Sequence, residues 1–406
     1  MASFGCIDKL LYYPAILQTS YMNLPVLEKA KVFGKTVFLR ADLDVPIQSQ
    51  ISNRKTQSHN SNLKSQIVIE DDTRLKAGLP TIEYLLKHGA KVIIGGHLGR
   101  PKVLNHESRI MNQEFSLLPV VKWFAKRFNH DSQFIIHDSK VGDFEGWELS
   151  DNLFLLENLR FYKGEENPTT ASGLEFAKKL ASLADIYVND AFAVCHRTHA
   201  SIVSVPKYLP HFAGFHLQEE VKVLSSVLDN PKRPLVVIIG GAKIETKLPL
   251  VEKMRDFADY VLVGGKIAKE IVPFLNSQQQ KDNSKGATLL VADLNQDGFD
   301  ITPKSIDDFL QIVSFAKTVV WNGPVGMTKS NIKNQISKID TEKGTRELAK
   351  GIVRSEAYTV VGGGDTLGFL RKVGLINQFS FVSTGGGAML EFLSGKKLPG
   401  LIAILS

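Results

Sequence analysis

Short runs of Val, Ile and Leu alternate along the chain with longer segments of helical periodicity. In the first half, the apolar runs begin at Val37, Lys91, Phe134, Leu153 and Asp185. Helical spacing of apolar residues marks the intervening segments at 79–88, 117–128 and 174–184. Strands that alternate with helices predict βαβ units and a parallel sheet.

The second half repeats this pattern, with apolar runs that begin at Leu235, Tyr260, Ala287, Thr318, Tyr358 and Phe379. We therefore predict an α/β protein with two doubly wound, Rossmann-like parallel sheets. A stretch at 206–210 bounded by prolines, then a helical segment at 217–228, indicates a hinge and a connecting helix. The polar segment 48–66 is expected to be a flexible loop insertion.

Length, composition and charge indicate the number of domains and exclude some classes of partner. The chain has 406 residues, enough for two domains, and a formal charge of +7. It lacks a Lys/Arg run with interleaved aromatics, so we expect no nucleic-acid binding. The apolar stretch at 10–17 is too short to span a membrane, so no membrane partner is expected. Only Cys6 and Cys195 occur, which fits a reducing cytoplasm.

Basic residues follow the predicted strands of the first half. Arginine occurs after strands or at a helix start, with His97 and His196 nearby, at Arg74, Arg100, Arg160 and Arg197. Ligands of open α/β sheets bind beyond the carboxyl ends of the strands. A guanidinium matches a carboxylate or phosphate with two hydrogen bonds. One such arginine more often pairs with a local acid, but four at equivalent positions favour a site for a polyanion.

Glycines follow the predicted strands of the second half. They occur at Gly240 and Gly241, Gly264 and Gly265, Gly323, Gly362 to Gly364, and Gly385 to Gly387. Such turns bring backbone N–H groups and a helix N-terminus close to phosphates. Tight turns alone would explain one pair, whereas five favour a nucleotide site. No turn completes GxxxxGK[ST] or GxGxxG, so a P-loop ATPase and a standard dinucleotide fold are disfavoured.

Two lysines and one aspartate add charge to these loops. Lys243 and Lys247 lie four residues apart at a helix start, where both can reach a phosphate. A solvated surface pair is the alternative interpretation. Asp365 follows the triple glycine and is the simplest Mg²⁺ anchor, because Mg²⁺ uses one or two carboxylates plus nucleotide phosphates. Its alternative role is an N-cap.

Together these segments resemble the phosphoglycerate kinase family over residues 23–406. The motifs that carry the resemblance are RADLDVP from Arg40, HLGRP from His97, LLENLRF from Leu155, NDAFAVCHRTHAS from Asn189, GGAKIETK from Gly240, VVWNGPVG from Val319, VVGGGDT from Val360 and STGGGA from Ser383. The resemblance implies reversible phosphoryl transfer from 1,3-bisphosphoglycerate to Mg-ADP, giving 3-phosphoglycerate and ATP. It also implies a monomeric, hinge-bending glycolytic enzyme of the cytoplasm.

The resemblance assigns roles to individual residues. The 3-phosphoglycerate site is expected at Asp42, Asp44, Arg74, His97, Arg100, Arg160 and Arg197. The nucleotide site is expected at Gly241, Lys243, Lys247, Gly265, Asn322, Gly323, Gly362, Gly363, Gly364, Asp365 and Thr366, with Asp365 holding Mg²⁺. The transferred phosphoryl group is expected to contact Arg74, Lys243 and backbone N–H groups near Gly363 and Gly386.

The resemblance also suggests the domain limits. Residues 1–22 would form an extension, 23–205 the substrate domain joined by 390–406, and 206–389 the nucleotide domain. Three departures from the family pattern stand out. Asp44 replaces the usual Asn, and Lys266 stands where a third glycine is common. No Phe-Glu follows Gly326, so the ribose contact is unassigned, with Glu342 one possibility, and the base preference stays open.

Two rival functions remain at this stage. One is a kinase or synthetase of the same fold that acts on another small carboxylic acid. The other is a catalytically weak binding protein descended from the enzyme, which the changes at Asp44 and after Gly326 motivate. The joint presence of Arg74, Lys243 and Asp365 speaks against the second rival.

Overall fold

The computed structural model describes residues 23–51, 65–101, 113–128, 137–242, 244–278, 286–328 and 340–406. These residues form two compact units. The first unit comprises Asn23–Glu219 and Pro399–Ser406, and the second comprises Glu220–Leu398. Within the described ranges, no helix has the length and hydrophobicity needed to cross a bilayer.

A mixed sheet forms the centre of the first unit. The strands of this unit are β1 (Thr36–Arg40), β2 (Ile47–Ile51), β3 (Ser65–Ile69), β4 (Lys91–Gly95), β5 (His137–Val141), β6 (Phe144–Ser150), β7 (Leu153–Leu156), β8 (Ile186–Asn189) and β9 (His211–Ala213). Seven of them form one sheet in the order β5-β6-β7-β4-β1-β8-β9. Strands β7, β4, β1, β8 and β9 are parallel, whereas β5 and β6 are antiparallel additions at one edge.

Helices surround the sheet of the first unit and close its core. They are α1 (Thr73–Lys87), α2 (Leu118–Phe128), α3 (Ala171–Ala181), α4 (Ala200–Val203) and the start of α5 (Phe215–Asp229), which continues into the second unit. Helix α1 buries Leu75, Leu79, Ile82 and Leu85, whose spacing of three and four residues gives one apolar face. The predicted helix at 79–88 is therefore present, and it begins earlier, at Thr73.

The second unit has an entirely parallel sheet. Its strands are β10 (Leu235–Ile239), β11 (Tyr260–Val263), β12 (Thr288–Val291), β13 (Thr318–Asn322), β14 (Tyr358–Gly362) and β15 (Phe381–Ser383). The helices that follow α5 are α6 (Ile244–Phe257), α7 (Ile267–Gln278), α8 (Pro303–Ser314), α9 (Lys343–Arg354), α10 (Gly364–Lys372), α11 (Gly387–Leu393) and α12 (Pro399–Leu405), the last of which belongs to the first unit. The predicted fold class, two doubly wound α/β sheets, is confirmed.

Each sheet reverses its strand order at one place. In the second unit the order is β12-β11-β10-β13-β14-β15, so the direction of winding changes between β10 and β13. In the first unit it changes between β1 and β8. Crevices at the carboxyl ends of such neighbouring strands are where doubly wound folds bind ligands. Ligand sites are therefore expected at the loops that follow β1, β8, β10 and β13.

Several details differ from the sequence expectations. The compact units divide after Glu219, later than the predicted limit at 205, because β9 pairs with β8 of the first sheet. The return to the first unit begins at Pro399, later than residue 390. The prediction of a loop at 48–66 was wrong at both ends of that segment, because β2 and β3 are paired antiparallel strands. Residues 1–22, 52–64 and the apolar run 134–136 lie outside the described residues.

Candidate active site

The loops after β1, β4 and β7 bring charged side chains together in the first unit. Asp42 and Asp44 follow β1, His97 follows β4, and Arg160 lies in the short 3-10 helix Leu159–Phe161 after β7. Parallel neighbours end at the same sheet edge, so these residues share one side of the sheet. Arg74, in the first turn of α1, joins them through an ion pair of 3.0 Å between its Nη1 and Asp42 Oδ1.

The Arg74–Asp42 pair is partly shielded from solvent. The Asp42 side chain is 2% exposed and that of Arg74 is 27% exposed. Burial raises the pKa of Asp42, although the Arg74 guanidinium opposes that shift. The Asp42 carboxylate in turn raises the pKa of Arg74. Asp42 thus holds the Arg74 guanidinium in place at the strand ends.

His97 is a neutral imidazole with a defined proton position. Arg40 Nη2 lies 3.0 Å from His97 Nδ1, and a guanidinium can only donate. Nδ1 is therefore the acceptor, and the ring proton lies on Nε2, 3.8 Å from Asp44 Oδ2. Burial, then the positive charge of Arg40, lowers the pKa of His97 well below its usual value. His97 can accordingly act as a hydrogen-bond donor without carrying charge.

Arg160 is held by several partners at the end of β7. Its Nη1 donates to Gly99 O at 2.6 Å, and its Nε lies 2.9 Å from Glu166 Oε1. The side chain is 7% exposed, and burial lowers its pKa. The Asn158 side chain accepts from the Arg160 backbone N–H, which fixes the turn. This arginine is therefore preorganised.

The other two predicted arginines are more exposed. Arg100 and Arg197 have exposed side chains on the loops after β4 and β8. Arg197 lies near enough to His196 to lower its pKa, which burial and this guanidinium together bring to about 4. The first unit thus offers one buried arginine that is held by several partners and two exposed arginines.

A buried layer beneath these loops was not assigned a role from the sequence. Arg40 is fully buried and donates from Nε to Ser201 Oγ at 2.8 Å. Glu165, also fully buried, accepts from Ser201 N–H at 2.9 Å and from Ser201 Oγ at 2.6 Å. His199 Nδ1 lies 3.7 Å from Glu165 Oε1. Arg40 is the first residue of the RADLDVP motif, and His199 lies within NDAFAVCHRTHAS. Their positions in these motifs could have identified them as residues of the site.

A cavity of about 730 Å³ lies at the carboxyl ends of the strands of the second unit. Ten residues expected to bind nucleotide or the phosphoryl group line it, namely Gly241, Lys247, Gly265, Asn322, Gly323, Gly363, Gly364, Asp365, Thr366 and Gly386. Gly362 ends β14 and is not among the lining residues. Lys243 lies outside the described residues.

Lys247, on the helix α6 that follows β10, contacts Asn322 at the end of β13. The Lys247 ammonium donates to Asn322 Oδ1 at the end of β13. Lys247 is 9% exposed, and burial lowers its pKa to about 8 even though the Asp365 carboxylate opposes that shift. The ammonium therefore lies in a weakly hydrated place, where an incoming phosphate would meet a poorly screened charge.

Glycine is required at two of the turns that line this cavity. Gly323 has φ +94°, and a Cβ there would lie 2.1 Å from Gly240 O. Gly363 has φ +96°, and a Cβ there would lie 3.2 Å from Asn322 Oδ1. Thr366 Oγ1 accepts from Gly323 N–H at 3.0 Å, which ties α10 to the end of β13. These turns leave backbone N–H groups accessible at the start of α10.

The chemistry of the donors fits one Mg²⁺ ion held together with a nucleotide. Asp365 lies in the first turn of α10 and lines the cavity with the glycine turns. Among the described residues, no three His, Cys, Asp or Glu side chains cluster closely enough to hold a metal. A single carboxylate that shares the ion with nucleotide phosphates is a common arrangement for Mg²⁺.

Glu342 is engaged elsewhere and does not line this cavity. Its Oε2 accepts from Lys372 Nζ at 2.9 Å, and its side chain is 5% exposed. The ribose role that the sequence left open for Glu342 therefore has no support from its position. The lining residues that the sequence did not assign include Leu294, Asp297, Phe299 and Met327.

A second cavity, of about 550 Å³, lies in the first unit. Aromatic side chains of Phe144, Tyr162 and Phe176 form part of its wall, with charged groups such as Lys179 at its rim. No residue assigned to substrate or nucleotide from the sequence lines it. The chemistry predicted from the motifs therefore belongs to the other sites.

Comparison with known proteins decides the family. The phosphoglycerate kinase family model matches residues 27–286 and 270–396. The chain belongs to the phosphoglycerate kinase family. The phosphoglycerate kinase of Leptospira biflexa is 35% identical, with 95% of this chain and 99% of that protein covered. That of Finegoldia magna is 36% identical, with 94% and 99% covered.

A plant protein and a solved structure show the same similarity. The cytosolic phosphoglycerate kinase of Nicotiana tabacum is 35% identical, with 93% of this chain and 97% of that protein covered. The structure of phosphoglycerate kinase from Coxiella burnetii superposes with a TM-score of 0.71 at 32% identity, covering 94% of this chain and 98% of that one. The family resemblance read from the motifs is thus confirmed over nearly the whole chain.

Proposed function

We propose that this chain transfers a phosphoryl group reversibly between the carboxyl group of 3-phosphoglycerate and Mg-ADP. 1,3-bisphosphoglycerate is the donor in the direction that forms ATP. The observation that carries the proposal is the contrast between the strand-end loops of the two units. The first unit presents Arg74, His97 and Arg160 at strand ends, and the second presents Lys247 and glycine turns. An acid with two anionic groups suits the first, and a polyphosphate suits the second.

The basic loops support a phosphorylated three-carbon acid as substrate. The fixed fork of Arg160 and the neutral donor His97 can orient one anionic group. The exposed guanidiniums of Arg100 and Arg197 can close on the other. We assign Asp42 and Asp44 to the same site, where Asp42 orients Arg74 and Asp44 accepts from Gly99 N–H at 2.8 Å.

The nucleotide site is assigned to the cavity of the second unit, together with Lys243 and Gly362. Backbone N–H groups at Gly241, Gly265 and Gly364 would bind phosphate oxygens beside the Lys247 ammonium. Asp365 would hold Mg²⁺. Mg²⁺ supplies charge neutralisation of the nucleotide phosphates when it is bound. The cation explains why an acidic residue belongs in a site for anions.

The reaction requires positioning and charge stabilisation more than acid–base chemistry. The attacking carboxylate is already ionised at neutral pH, so no general base is needed. Arg74 and Lys243 would stabilise the negative charge on the group in transfer. N–H groups near Gly363 and Gly386 would add hydrogen bonds. Because both reactants must meet in line, we propose that the two units close over them during turnover.

We also propose a monomer that works in the cytoplasm without a nucleic-acid or membrane partner. The relative from Nicotiana tabacum is named as a cytosolic phosphoglycerate kinase. The sequence lacks a long Lys/Arg run that would favour binding to nucleic acid. Scattering by the chain with both ligands bound tests closure and mass together: a compact monomer is expected, and an unchanged radius or a dimer would contradict this part.

Trapping with hydroxylamine tests which group accepts the phosphate. The chain, ATP, Mg²⁺ and 3-phosphoglycerate should yield an acyl phosphate, which hydroxylamine converts to a hydroxamate. Formation of a phosphate ester without hydroxamate would contradict the proposal. A panel of other small carboxylic acids separates this function from the rival kinase, because 3-phosphoglycerate should react fastest.

Nucleotide affinity should depend on pH through Lys247. Burial lowers the pKa of Lys247 to about 8 in the protein without ligand, so the ammonium loses its proton as pH rises from 7 to 9. A neutral amine cannot attract phosphate, so the affinity for Mg-ADP should fall about tenfold over that range. Titration calorimetry at several pH values measures the affinity for Mg-ADP. Lys247→Arg is the matched control, because a guanidinium stays charged and should remove most of the dependence. A wild-type affinity that is constant with pH would contradict the assignment.

Replacing Asp44 with Asn should strengthen 3-phosphoglycerate binding. The change keeps an oxygen for the Gly99 N–H and removes a negative charge beside His97. Two unit charges roughly 8 Å apart repel by about 1 kcal/mol at intermediate dielectric. We therefore expect the Kd to fall about fivefold. Asp151→Asn, in the exposed turn between β6 and β7, is the control and should change nothing. Weaker binding by Asp44→Asn would exclude this repulsion.

A further inference from the structure

The lining of the nucleotide cavity combines two chemically different sets of residues. Glycine turns, Lys247, Asp365 and Thr366 form the polar set. Leu294, Phe299 and Met327 form the apolar set, in which Met327 N–H donates to Phe299 O at 2.7 Å, and all three are partly exposed. Apolar and aromatic side chains suit the flat faces of a base, and N–H groups suit phosphates. The apolar set around Phe299 is therefore suited to a base.

Three charged side chains also line this cavity. Lys266, Lys269 and Asp297 all line the cavity and are exposed. The Lys269 ammonium lies next to Gly298, which follows Asp297 in the chain. A Cβ added at Gly298 would be 3.4 Å from Lys269 Nζ. Among the described residues, no ion pair within 4.0 Å uses any of these three side chains.

The positions of the lysines are not explained by helix stability. Lys266 directly precedes α7, and Lys269 lies in its first turn. Cations are disfavoured at a helix N-terminus, by about 0.3–1 kcal/mol each. Residues that break a local rule often occur at functional sites. Two cations that line the same cavity as a carboxylate therefore point to a ligand that offers both acceptors and donors.

We propose that Lys266, Lys269 and Asp297 make this cavity select guanine nucleotides over adenine nucleotides. Guanine presents two acceptors, O6 and N7, on one side and N–H donors, N1–H and N2–H₂, on the other. The lysines donate to the acceptors, and the carboxylate accepts from the donors. Asp297 is oriented for this, because its Oδ1 accepts from Phe299 N–H at 2.9 Å in its own turn. The inference rests on the proposed function of this cavity as a nucleotide site.

Adenine and phosphate fit the same groups less well. Adenine has an N6–H₂ donor where guanine has O6, and a donor facing two ammonium groups is left unsatisfied. A phosphate would bind the lysines, but the Asp297 carboxylate would repel it. Guanine matches both charges at once. A site built for hydrogen bonds discriminates strongly against a ligand that lacks them.

Direct binding to the full-length chain tests the inference. Calorimetric titration with Mg-GDP and with Mg-ADP should give a Kd for GDP at least about tenfold lower. Asp297→Asn should abolish most of that preference. It should also improve the binding of xanthosine diphosphate, whose O2 replaces the N2 amino group and can accept from the new amide. Lys266→Gly should weaken GDP more than ADP.

A matched control separates base recognition from general effects of charge. Asp307→Asn removes an exposed carboxylate on α8 that does not line the cavity, and it should keep the GDP preference. Circular dichroism of each variant excludes unfolding. If ADP bound as tightly as GDP to the wild type, the inference would be wrong while the proposed function stood. If neither diphosphate bound, the nucleotide site itself, and the inference with it, would be wrong.

Discussion

Arg40→Met should lower the free energy of unfolding of the first unit by about 3–5 kcal/mol. Arg40 Nη2 lies 3.9 Å from Glu165 Oε1, and both side chains are fully buried. Removing the guanidinium leaves the buried Glu165 carboxylate without its cation and removes a donor from His97. Burial already raises the pKa of Glu165, so part of the loss is relieved when that carboxyl takes up a proton.

Urea unfolding measures this loss. The fluorescence of Trp123 and Trp147 reports on the first unit when Trp321, of the second unit, is replaced by Phe. In that background, adding Glu165→Gln to Arg40→Met should recover part of the stability, which gives a coupling energy for the pair. Arg127→Met removes a surface partner of Glu83 within the same unit and should cost less than about 1 kcal/mol. A loss for Arg40→Met as small as that control would contradict the account.

Asp365→Ala should reduce kcat by at least about 10²-fold and raise the Mg²⁺ concentration that gives half-maximal rate. This expectation follows if the carboxylate holds the ion that neutralises the nucleotide phosphates. Loss of one preorganised electrostatic contact commonly costs about 10²–10³ in rate. Steady-state kinetics over a range of Mg²⁺ concentrations measures both changes.

Asp365→Asn keeps the size of the side chain and removes its charge. Gly363 is the N-cap of α10 and no side chain caps this helix, so the alternative N-cap role of Asp365 was wrong. Asn is a much weaker Mg²⁺ ligand than Asp, so Asn should behave like Ala, and wild-type kinetics of Asp365→Asn would contradict the metal role. Asp307→Asn serves as the remote control and should leave both kinetic quantities unchanged.

Much of the architecture could be predicted from sequence because it depends on local periodicity. The apolar runs at Leu235 and Thr318 become β10 and β13, and helical spacing predicts α1 and α2. The edge strands β5 and β9, and the neighbouring β6, were missed. His137–Val141 is polar, and β9 has only three residues, so neither shows the apolar run of a buried strand. Whether such segments form strands depends on pairing with residues that are distant in the sequence.

The site was predictable where a motif places a charged residue at a strand end. Asp42, Arg74, His97 and Arg160 are brought together in this way. The support from Arg40, Glu165 and Ser201 was not predicted, because their contacts join residues more than thirty positions apart. Lys269 and Asp297, which line the nucleotide cavity, were missed for a similar reason, since only the folded chain brings Lys269 beside Gly298.

The most direct test of the central claim is a coupled assay of ATP consumption with 3-phosphoglycerate and Mg²⁺. The full chain should turn over with ATP even if guanine nucleotides bind more tightly, because the polar set of lining residues is assigned to the phosphates and not to the base. Activity should vanish when EDTA removes Mg²⁺, and it should fall at least about 10²-fold in Arg74→Ala. A folded wild-type chain that showed no Mg²⁺-dependent turnover of 3-phosphoglycerate would contradict the account.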